Sequence, residues 1–254
     1  MAKKVIGIDI GSTNTKAVLF DGSIKNFVVF PTLYEPQKAA KKAVEYLTKG
    51  HIDEIIKEYK IVATGYGRVS FDYAGKKVSE ITCHARGTKF LFPDVKTIID
   101  LGGQDSKLIF LDETGKVKEF FMNDKCSAGT GKFLEYILKS MNIAIKNLDI
   151  PISIIPAKIN SMCTVFAESE VISLSSKGVA KEEIIAGIIN SIAERVTTFL
   201  YKFNFEEKIC FTGGLSKNQY LKFLLEQKLN KKIYTPEYAL YSAAIGAALI
   251  GYEE

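Results

Sequence analysis

The feature that most constrains this fold is an internal repeat. The segment GIDIGSTNTKAVLF (7–20) recurs as IIDLGGQDSKLIFL (98–111), at a constant offset of 91 residues. An acid, a glycine and a lysine keep their places in both copies, as the pairs Asp9–Asp100, Gly11–Gly102 and Lys16–Lys107. Apolar residues flank both copies, so each predicts a strand, a glycine-containing turn and a second strand. This repeat predicts a duplicated domain with one loop in each half, rather than a solenoid.

Helix and strand patterns alternate through the rest of the chain. Short apolar runs at 61–64 and 209–212 predict strands that end at glycine turns. Amphipathic or capped segments predict helices at 35–49, 130–141, 181–203, 216–229 and 239–250. Such alternation predicts an α/β protein. We expect one half at 1–95 and the other at 96–254, with the C-terminal segment 239–254 able to pack back on the first half.

The first repeated loop, DIGSTNTK (9–16), has the composition of a phosphate-binding turn. Gly11 lets backbone N–H groups come close to a phosphate. Short polar donors follow it, namely Ser12, Thr13, Asn14 and Thr15. Asp9 could hold Mg²⁺ through water, and Lys16 could neutralise phosphate charge. One copy alone is better explained as a hairpin turn rich in turn-forming residues.

The second copy, DLGGQDSK (100–107), makes a phosphate site the favoured interpretation. It repeats the acid and the polar turn, with Gly102 and Gly103 exposing backbone. Two such loops facing each other across a cleft could grip one polyphosphate from both sides. Asp100 and Asp105 would then lie near the metal and the attacking water, which Gln104 could orient. The predicted catalytic residues are therefore Asp9, Asp100, Gln104 and Asp105.

The run GTGK (129–132) resembles part of a Walker phosphate loop but does not satisfy its pattern, G-x-x-x-x-G-K-[ST]. Cys126 stands at the first glycine position, and Phe133 stands at the Ser or Thr position. The run is better explained as a tight turn that opens a helix. Because a helix N-terminus favours anions, its backbone could still touch a nucleotide at Gly129, Gly131 and Lys132.

A second glycine turn, ICFTGGLSKN (209–218), follows a buried strand. Gly213 and Gly214 lack side chains, so their backbone could lie flat against an adenosine. We include Leu215 and Asn218, at the start of the next helix, among the predicted nucleotide-binding residues. This signal is weak when taken alone, because glycine is common between a strand and a helix.

Two of the four cysteines have sequence surroundings that suit metal binding. Cys126 and Cys163 each precede a predicted helix, and a thiolate at a helix N-terminus has a lowered pKa. Two thiolates cannot complete a tetrahedral sulfur site or an iron–sulfur cluster, but a twofold homodimer would bring four together. The alternative is that both are buried free cysteines. For Cys83 and Cys210 a structural role is favoured.

Composition bears on partners and compartment. The formal net charge is +5, and the lysines are scattered singly and in pairs, which favours a solvated surface over a nucleic-acid patch. The start MAKKVIGIDIG has no signal-peptide pattern, and no run of 18 apolar residues predicts a membrane span. Disulfides are not expected in such a chain. We expect a cytoplasmic protein that binds neither nucleic acid nor membrane.

Taken together, the motifs give a sequence that resembles the ATP-dependent activators (component A) of 2-hydroxyacyl-CoA dehydratases, which group with the ATPase subunits of benzoyl-CoA reductase. The two cysteine-bearing segments distinguish this family from sugar kinases of the same fold. The resemblance extends along nearly the whole chain, through GIDIGSTNTK (7–16), ATGYGR (63–68), EITCHARG (80–87), IIDLGGQDSK (98–107), FMNDKCSAGTGKFLE (121–135), SMCTVFAESEVISL (161–174), FTGGLSKN (211–218) and SAAIGAAL (242–249).

The resemblance implies an actin-like ATPase fold, shared by acetate and sugar kinases, heat-shock chaperones and actin, with duplicated ribonuclease-H-like halves. It implies a homodimer bridged by one 4Fe–4S cluster, whose ligands in each subunit match Cys126 and Cys163. It implies ATP or ADP with Mg²⁺ in each subunit. The implied reaction is low-potential electron transfer, driven by ATP hydrolysis, from a ferredoxin or flavodoxin to a partner iron–sulfur protein.

The implied partner is either a 2-hydroxyacyl-CoA dehydratase or a related double-cubane cluster protein, and the segment 71–87 fits both branches. Two other functions stay open. A small-molecule kinase of the amino-sugar type explains the phosphate loops but leaves Cys126 and Cys163 without a role. A non-enzymatic nucleotide switch would make these cysteines structural.

Overall fold

The computed structural model describes residues 4–144, 148, 150–160 and 163–254. Its packing divides the chain into two compact units. One unit comprises Met1–Ile98, Ile109–Phe120 and Pro236–Glu254, and the other comprises Ile99–Leu108 and Phe121–Thr235. The predicted limits of the two halves, 1–95 and 96–254, stay a prediction.

Strands and helices alternate, as the sequence predicts. The strands are β1 (Val5–Ile10), β2 (Asn14–Phe20), β3 (Ile24–Pro31), β4 (Lys60–Thr64), β5 (Lys76–Lys77), β6 (Thr97–Leu101), β7 (Ser106–Leu111), β8 (Val117–Asn123), β9 (Ile209–Thr212) and β10 (Ile233–Tyr234). The helices are α1 (Pro36–Thr48), α2 (Ile52–Glu58), α3 (Glu80–Leu91), α4 (Gly131–Ser140), α5 (Thr164–Ser176), α6 (Lys181–Leu200), α7 (Gln219–Leu229) and α8 (Ser242–Glu253). None of the helices within the described ranges is long and apolar enough to cross a bilayer.

The first sheet has the strand order β3-β2-β1-β4-β5. Its central strand β1 pairs antiparallel with β2 and parallel with β4. Every residue of β1 is buried, as expected for a strand covered on both faces. Ile6, Ile8 and Ile10 pack with α1 and α2, whereas Val5 belongs to the cluster formed with α3 and α8. The alternation follows from the two-residue period of a strand.

The second sheet has the strand order β10-β9-β6-β7-β8. It repeats the order of the first sheet when β6 is matched to β1, β7 to β2, β8 to β3, β9 to β4 and β10 to β5. The repeated loops follow β1 and β6, the matched central strands. This confirms the predicted α/β fold with duplicated halves.

Two predicted helices are divided in the structure. The first, 216–229, becomes a 3₁₀ turn at Gly214–Lys217 followed by α7, because Asn218 is extended and its side chain accepts a hydrogen bond from the Leu221 N–H at 2.8 Å. An asparagine in this position is a favourable N-cap, so the helix restarts there. The second, 239–250, is likewise divided into a 3₁₀ turn at Ala239–Tyr241 and α8.

Helix α8 approaches its neighbours more closely than side chains would allow. A Cβ at Gly246 would lie 1.8 Å from the Cys83 carbonyl oxygen on α3. A Cβ at Gly87 on α3 would lie 1.8 Å from the Ser242 carbonyl oxygen. The small-residue pattern of α8 is therefore a packing requirement, and it ties the C-terminal helix to α3.

We expect Gly246→Ala to lower the free energy of unfolding by about 1–3 kcal/mol, because the new methyl group forces two helix backbones apart. Chemical denaturation measures the change. Gly75→Ala is the matched control, since a Cβ there meets only the Ile61 carbonyl oxygen at 3.8 Å. Equal stability losses in the two variants would contradict this account of the α3–α8 contact.

Candidate functional site

The first repeated loop is a tight turn between β1 and β2. The Gly11 N–H donates to the Asn14 carbonyl at 3.2 Å, and the Thr32 hydroxyl donates to the Gly11 carbonyl at 2.7 Å. The Thr15 and Thr32 hydroxyl oxygens lie 2.9 Å apart, and both residues are buried. Thr15 therefore helps to hold the turn in shape, whereas Ser12 is exposed at its tip.

Asp9 ends β1 opposite Lys16 on β2, and Lys16 Nζ lies 2.9 Å from Asp9 Oδ2. Asp9 is 4% exposed. Its other oxygen, Oδ1, is buried and has no hydrogen-bond partner among the residues that the structure describes, and the same holds for Thr13 Oγ1. Leaving such oxygens without a partner is costly. A hydrated cation at this place would satisfy the carboxylate, which fits the predicted Mg²⁺ role of Asp9.

Gly65, directly after β4, allows the backbone to approach Asp9. Its φ is 83°, and a Cβ there would lie 2.4 Å from Asp9 Oδ1 and 2.7 Å from the Ile10 carbonyl oxygen. The Arg68 guanidinium donates to the Gly65 carbonyl at 2.9 Å. A positive φ and this close contact together require glycine at this position.

The second loop repeats the turn and encloses its lysine. The Gly102 N–H donates to the Asp105 carbonyl at 2.9 Å. Lys107 Nζ lies 3.3 Å from Asp100 Oδ2 and 2.8 Å from Asp105 Oδ1, and this lysine side chain is only 1% exposed. The Thr212 hydroxyl donates to Asp100 Oδ1 at 2.8 Å. One buried cation thus holds both predicted catalytic aspartates of this loop in place.

The two loops differ in how their lysines and polar side chains are placed. Lys16 is 17% exposed, so it can reach a phosphate, whereas Lys107 is enclosed and holds its own loop. Gln104 is exposed at the tip of the second loop, where an amide can orient a water molecule. Both side chains are therefore accessible enough for the roles predicted for them, phosphate binding by Lys16 and water orientation by Gln104.

Gly213 stands beside Asp100 as Gly65 stands beside Asp9. Its φ is 85°, and a Cβ there would lie 2.4 Å from the Leu101 carbonyl oxygen and 2.9 Å from Asp100 Oδ1. A Cβ at Gly214 would meet nothing within 4 Å, so backbone is open to a flat ligand there. The neighbouring predicted residues are buried or already bonded: Leu215 is buried, and Asn218 caps α7.

We expect Gly213→Ala to weaken ADP binding by about tenfold or more, since the end of β6 must move to admit the methyl group. Isothermal titration measures the affinity. Gly178→Ala is the control, because Gly178 has a similar φ of 80° with nothing within 4 Å of a Cβ. If Gly178→Ala weakened ADP binding equally, backbone strain in general would be responsible.

The N-terminus of α4 is bonded to the second loop. The Gly131 N–H donates to the Gly102 carbonyl at 3.0 Å, and the Lys132 N–H donates to the Gly103 carbonyl at 2.7 Å. The Lys132 ammonium pairs with Glu135 at 2.8 Å on the same helix. The turn at 129–132 therefore links the segment of Cys126 directly to the second loop.

Cys126 and Cys163 lie in segments that meet. The Ser127 and Thr164 hydroxyl oxygens, each one residue after a cysteine, lie 2.9 Å apart. Cys163 is exposed at the N-cap of α5, and Cys126 is half-buried. The Asn123 amide donates to the Cys126 carbonyl at 2.9 Å. The contact between Ser127 and Thr164 brings the two cysteine segments together, and the assignment of both cysteines to one metal site stays a prediction.

Cys83 and Cys210 have the opposite character. Both are fully buried, and burial raises the pKa of each thiol to about 12. Such thiols stay protonated at neutral pH and are poor metal ligands. Their burial agrees with a structural role, which stays a prediction.

Sequence reasoning gave no role in this site to several residues that the structure places there. Gly65, Thr212 and Lys107 surround the strand-end aspartates, and Thr32 fastens the first turn. A second repeat could have revealed two of the four positions, because Thr-Gly follows an apolar run at both 64–65 and 212–213. Thr32 has no such signal, since its role depends on the pairing of β3 with β2.

Two sheets of the same strand order, each with an aspartate and a glycine turn at the end of its central strand, define a nucleotide-binding protein of the actin-like ATPase fold. A ROK family glucokinase from Streptomyces griseus shares the fold alone, at a TM-score of 0.59 and 12% identity over 99% of this chain and 100% of that chain.

The chain belongs to the BadF/BadG/BcrA/BcrD ATPase family, whose sequence pattern matches residues 6–251. It is 42% identical to the activator of lactoyl-CoA dehydratase from Anaerotignum propionicum, over 98% of this chain and 97% of that protein. The (R)-2-hydroxyglutaryl-CoA dehydratase component A of Acidaminococcus fermentans superposes with a TM-score of 0.89 at 35% identity, over 99% and 98% of the two chains. The 2-hydroxyisocaproyl-CoA dehydratase activator of Clostridium difficile, solved with bound ADPNP, gives 0.87 at 35% identity, over 98% and 94%. The resemblance to dehydratase activators and the expectation of an ATPase are confirmed.

Proposed function

We propose that this protein uses ATP hydrolysis to drive low-potential electron transfer from a 4Fe–4S cluster, shared by two copies of the chain, to a partner iron–sulfur enzyme. The contact between Ser127 and Thr164 carries the proposal, because it joins the two accessible cysteine segments in a member of an ATPase family. Relatives named as dehydratase activators favour a 2-hydroxyacyl-CoA dehydratase as the partner. A double-cubane cluster protein is the alternative partner.

ATP or ADP is proposed to bind at the two repeated loops and the glycine turn after β9. The unpartnered Asp9 and Thr13 oxygens and the open backbone at Gly214 support this assignment. The proposed contacts are Gly11, Ser12, Thr13, Asn14, Thr15 and Lys16 in the first loop, Gly102, Gly103 and Gln104 in the second, Gly129, Gly131 and Lys132 before α4, and Gly213, Gly214, Leu215 and Asn218 after β9.

The carboxylates divide into two proposed roles. Asp9 would hold a hydrated Mg²⁺, and the bound ion would neutralise phosphate charge. Asp100 and Asp105, fixed by Lys107, orient the attacking water together with Gln104. Lys107 lies against both carboxylates, so its one positive charge reduces the repulsion between these two like charges.

The cysteines fit a cluster that two subunits share. A 4Fe–4S cluster needs four thiolates, and Cys126 and Cys163 supply two. Within the described part of the chain, no group of three or more His, Cys, Asp or Glu residues could hold a metal ion, so a second copy is needed to complete the set. Beside Cys163, Val165 and Phe166 are 63% and 68% exposed, an apolar surface that the second copy would cover. When bound, the cluster would supply one-electron transfer, with a ferredoxin or flavodoxin as the donor.

Iron analysis after strictly anaerobic purification tests the proposal. We expect about four irons per dimer and a visible absorption that dithionite bleaches. Electron transfer to an added dehydratase should require hydrolysable ATP and stop with ADPNP. A sample that binds no iron after anaerobic reconstitution would refute the proposal.

The small-molecule kinase is the less favoured function, because it gives Cys126 and Cys163 no role. A kinase would release ADP only when a sugar or acid acceptor is present. ATP hydrolysis without any acceptor, measured by ADP release from an iron-loaded sample, distinguishes the two.

A further inference from the structure

Arg195 on α6 lies directly against the turn that follows Cys126. Gly129 in this turn has a φ of 87°, and a Cβ there would lie 2.9 Å from Arg195 Cδ and 3.6 Å from its Nε. The turn is closed by Thr130, whose N–H and hydroxyl both donate to the Ser127 carbonyl, at 3.0 and 2.6 Å. The arginine side chain therefore packs against the backbone of the cysteine turn at Gly129.

Among the residues that the structure describes, the positive charge of Arg195 has no ion-pair partner. Its Nε is buried without a hydrogen-bond partner, and no carboxylate within residues 4–144, 148, 150–160 and 163–254 forms an ion pair with it. The adjacent Glu194 accepts instead from Lys228, at 3.3 Å. A guanidinium stays protonated at any ordinary pH. Arg195 as a whole is half-buried rather than enclosed, so an anion held beside the cysteine turn can approach its charge.

An aromatic stack fixes the arginine in place. Its Cζ lies 5.6 Å from the centroid of the Phe199 ring, and Phe199 stacks on Phe121 with centroids 4.6 Å apart. Phe121 belongs to β8, the strand that leads into the Cys126 segment. An aromatic face can hold a cation in position, but it does not neutralise the charge of the cation, because the ring carries no net charge.

We propose that Arg195 is a positioning residue whose charge compensates the anionic iron–sulfur group held by Cys126 and raises its reduction potential. The inference rests on the proposed function. A cluster ligated by thiolates carries net negative charge and gains one more negative charge when it is reduced. A fixed positive charge nearby therefore stabilises the reduced form more than the oxidised form.

Redox titration of the anaerobically assembled dimer, followed by electron paramagnetic resonance, tests this role. We expect Arg195→Met to lower the reduction potential, shifting the redox equilibrium by about tenfold, which corresponds to about 59 mV for one electron. Arg195→Lys keeps the positive charge, so its reduction potential should fall by no more than half as much as that of Arg195→Met. Lys202→Met is the matched control, because Lys202 also lies over the Phe199 ring, at 5.0 Å, and its loss should leave the potential unchanged.

An unchanged potential in Arg195→Met with full iron content would overturn the role, as would an equal shift in Lys202→Met. Weaker ADP binding with an unchanged potential would assign Arg195 to a nucleotide phosphate instead, and would also overturn it. If Arg195→Met retains no iron, Arg195→Gln and Arg195→Lys replace it. A lower reduction potential or faster iron loss in Arg195→Gln than in Arg195→Lys then supports the role. Equal potentials and equal rates of iron loss in these two variants contradict it. Absence of iron from the wild type would refute the proposed function itself.

Discussion

Replacing either Cys126 or Cys163 by serine is expected to reduce the iron content from about four per dimer to nearly none. A serine hydroxyl is not ionised at neutral pH and cannot replace a thiolate ligand. The exposed or half-buried position of these residues means that the substitution disturbs little packing. ADP affinity should therefore stay within about twofold of wild type, a change that corresponds to less than 0.5 kcal/mol. Iron and sulfide analysis, together with calorimetric ADP titration, measures both properties of each variant.

Cys83→Ser and Cys210→Ser are the controls for this pair. Both positions are fully buried, so a serine there should lower the melting temperature while the iron content is retained. The two pairs of cysteines should thus give opposite results, with iron lost in one and stability lost in the other. Loss of iron in Cys83→Ser at an unchanged melting temperature would show that the ligand assignment is wrong.

The fold was largely predictable because its strongest signal is local in sequence. The acid, glycine and lysine of each loop lie within eight residues, so the repeat is visible without any knowledge of tertiary contacts. Strand β1 reads as an apolar run because both of its faces are covered. Helix ends were less predictable, since the interruption before α7 depends on one capping side chain, Asn218.

The closest neighbours of the aspartates were not predictable from the loops alone. Thr212 lies 112 residues from Asp100 in the chain, and it reaches that carboxylate only because β9 lies beside β6 in the second sheet. The enclosure of Lys107 depends in the same way on how its own loop folds back toward Asp105. The spacing of residues in the sequence can identify the charged residues of a site. Which of them are open to a ligand depends on their burial in the folded structure.

The contact between the cysteine segments shows the same limit. Ser127 and Thr164 are 37 residues apart, with no shared motif to predict that their hydroxyls meet. Cys126 and Cys163 were predicted as a pair from their similar positions before helices and from the family resemblance. Arg195 lies within an otherwise ordinary amphipathic helix, and tertiary features that the sequence does not show distinguish it from a surface arginine: its packing against Gly129, its buried Nε and its place over the Phe199 ring.

We expect Asp9→Asn and Asp100→Asn each to lower the rate of ATP hydrolysis by about 10²–10³-fold, because the first would weaken the proposed Mg²⁺ site and the second would remove a carboxylate proposed to orient the attacking water. Steady-state ADP release measures the rate. The two variants should differ in stability. Lys16 is partly exposed, so water can solvate its charge once Asp9 is neutral, and the free energy of unfolding should change little.

Asp100→Asn should be the less stable of the two variants. Lys107 is enclosed, so Asp100→Asn removes the charge of one of the two carboxylates that lie against its ammonium, at a cost on the order of 1–3 kcal/mol. Asp21→Asn is the control and should keep wild-type activity. Asp21 lies outside both loops, and its carboxylate is 3.3 Å from Lys25 Nζ, so this variant also removes the partner of a lysine. A wild-type rate of ATP hydrolysis in Asp9→Asn would show that the Asp9 carboxylate does not hold the metal ion. Equal stability of Asp9→Asn and Asp100→Asn would instead contradict the role of Lys107, because an enclosed ammonium has no water to replace a lost carboxylate.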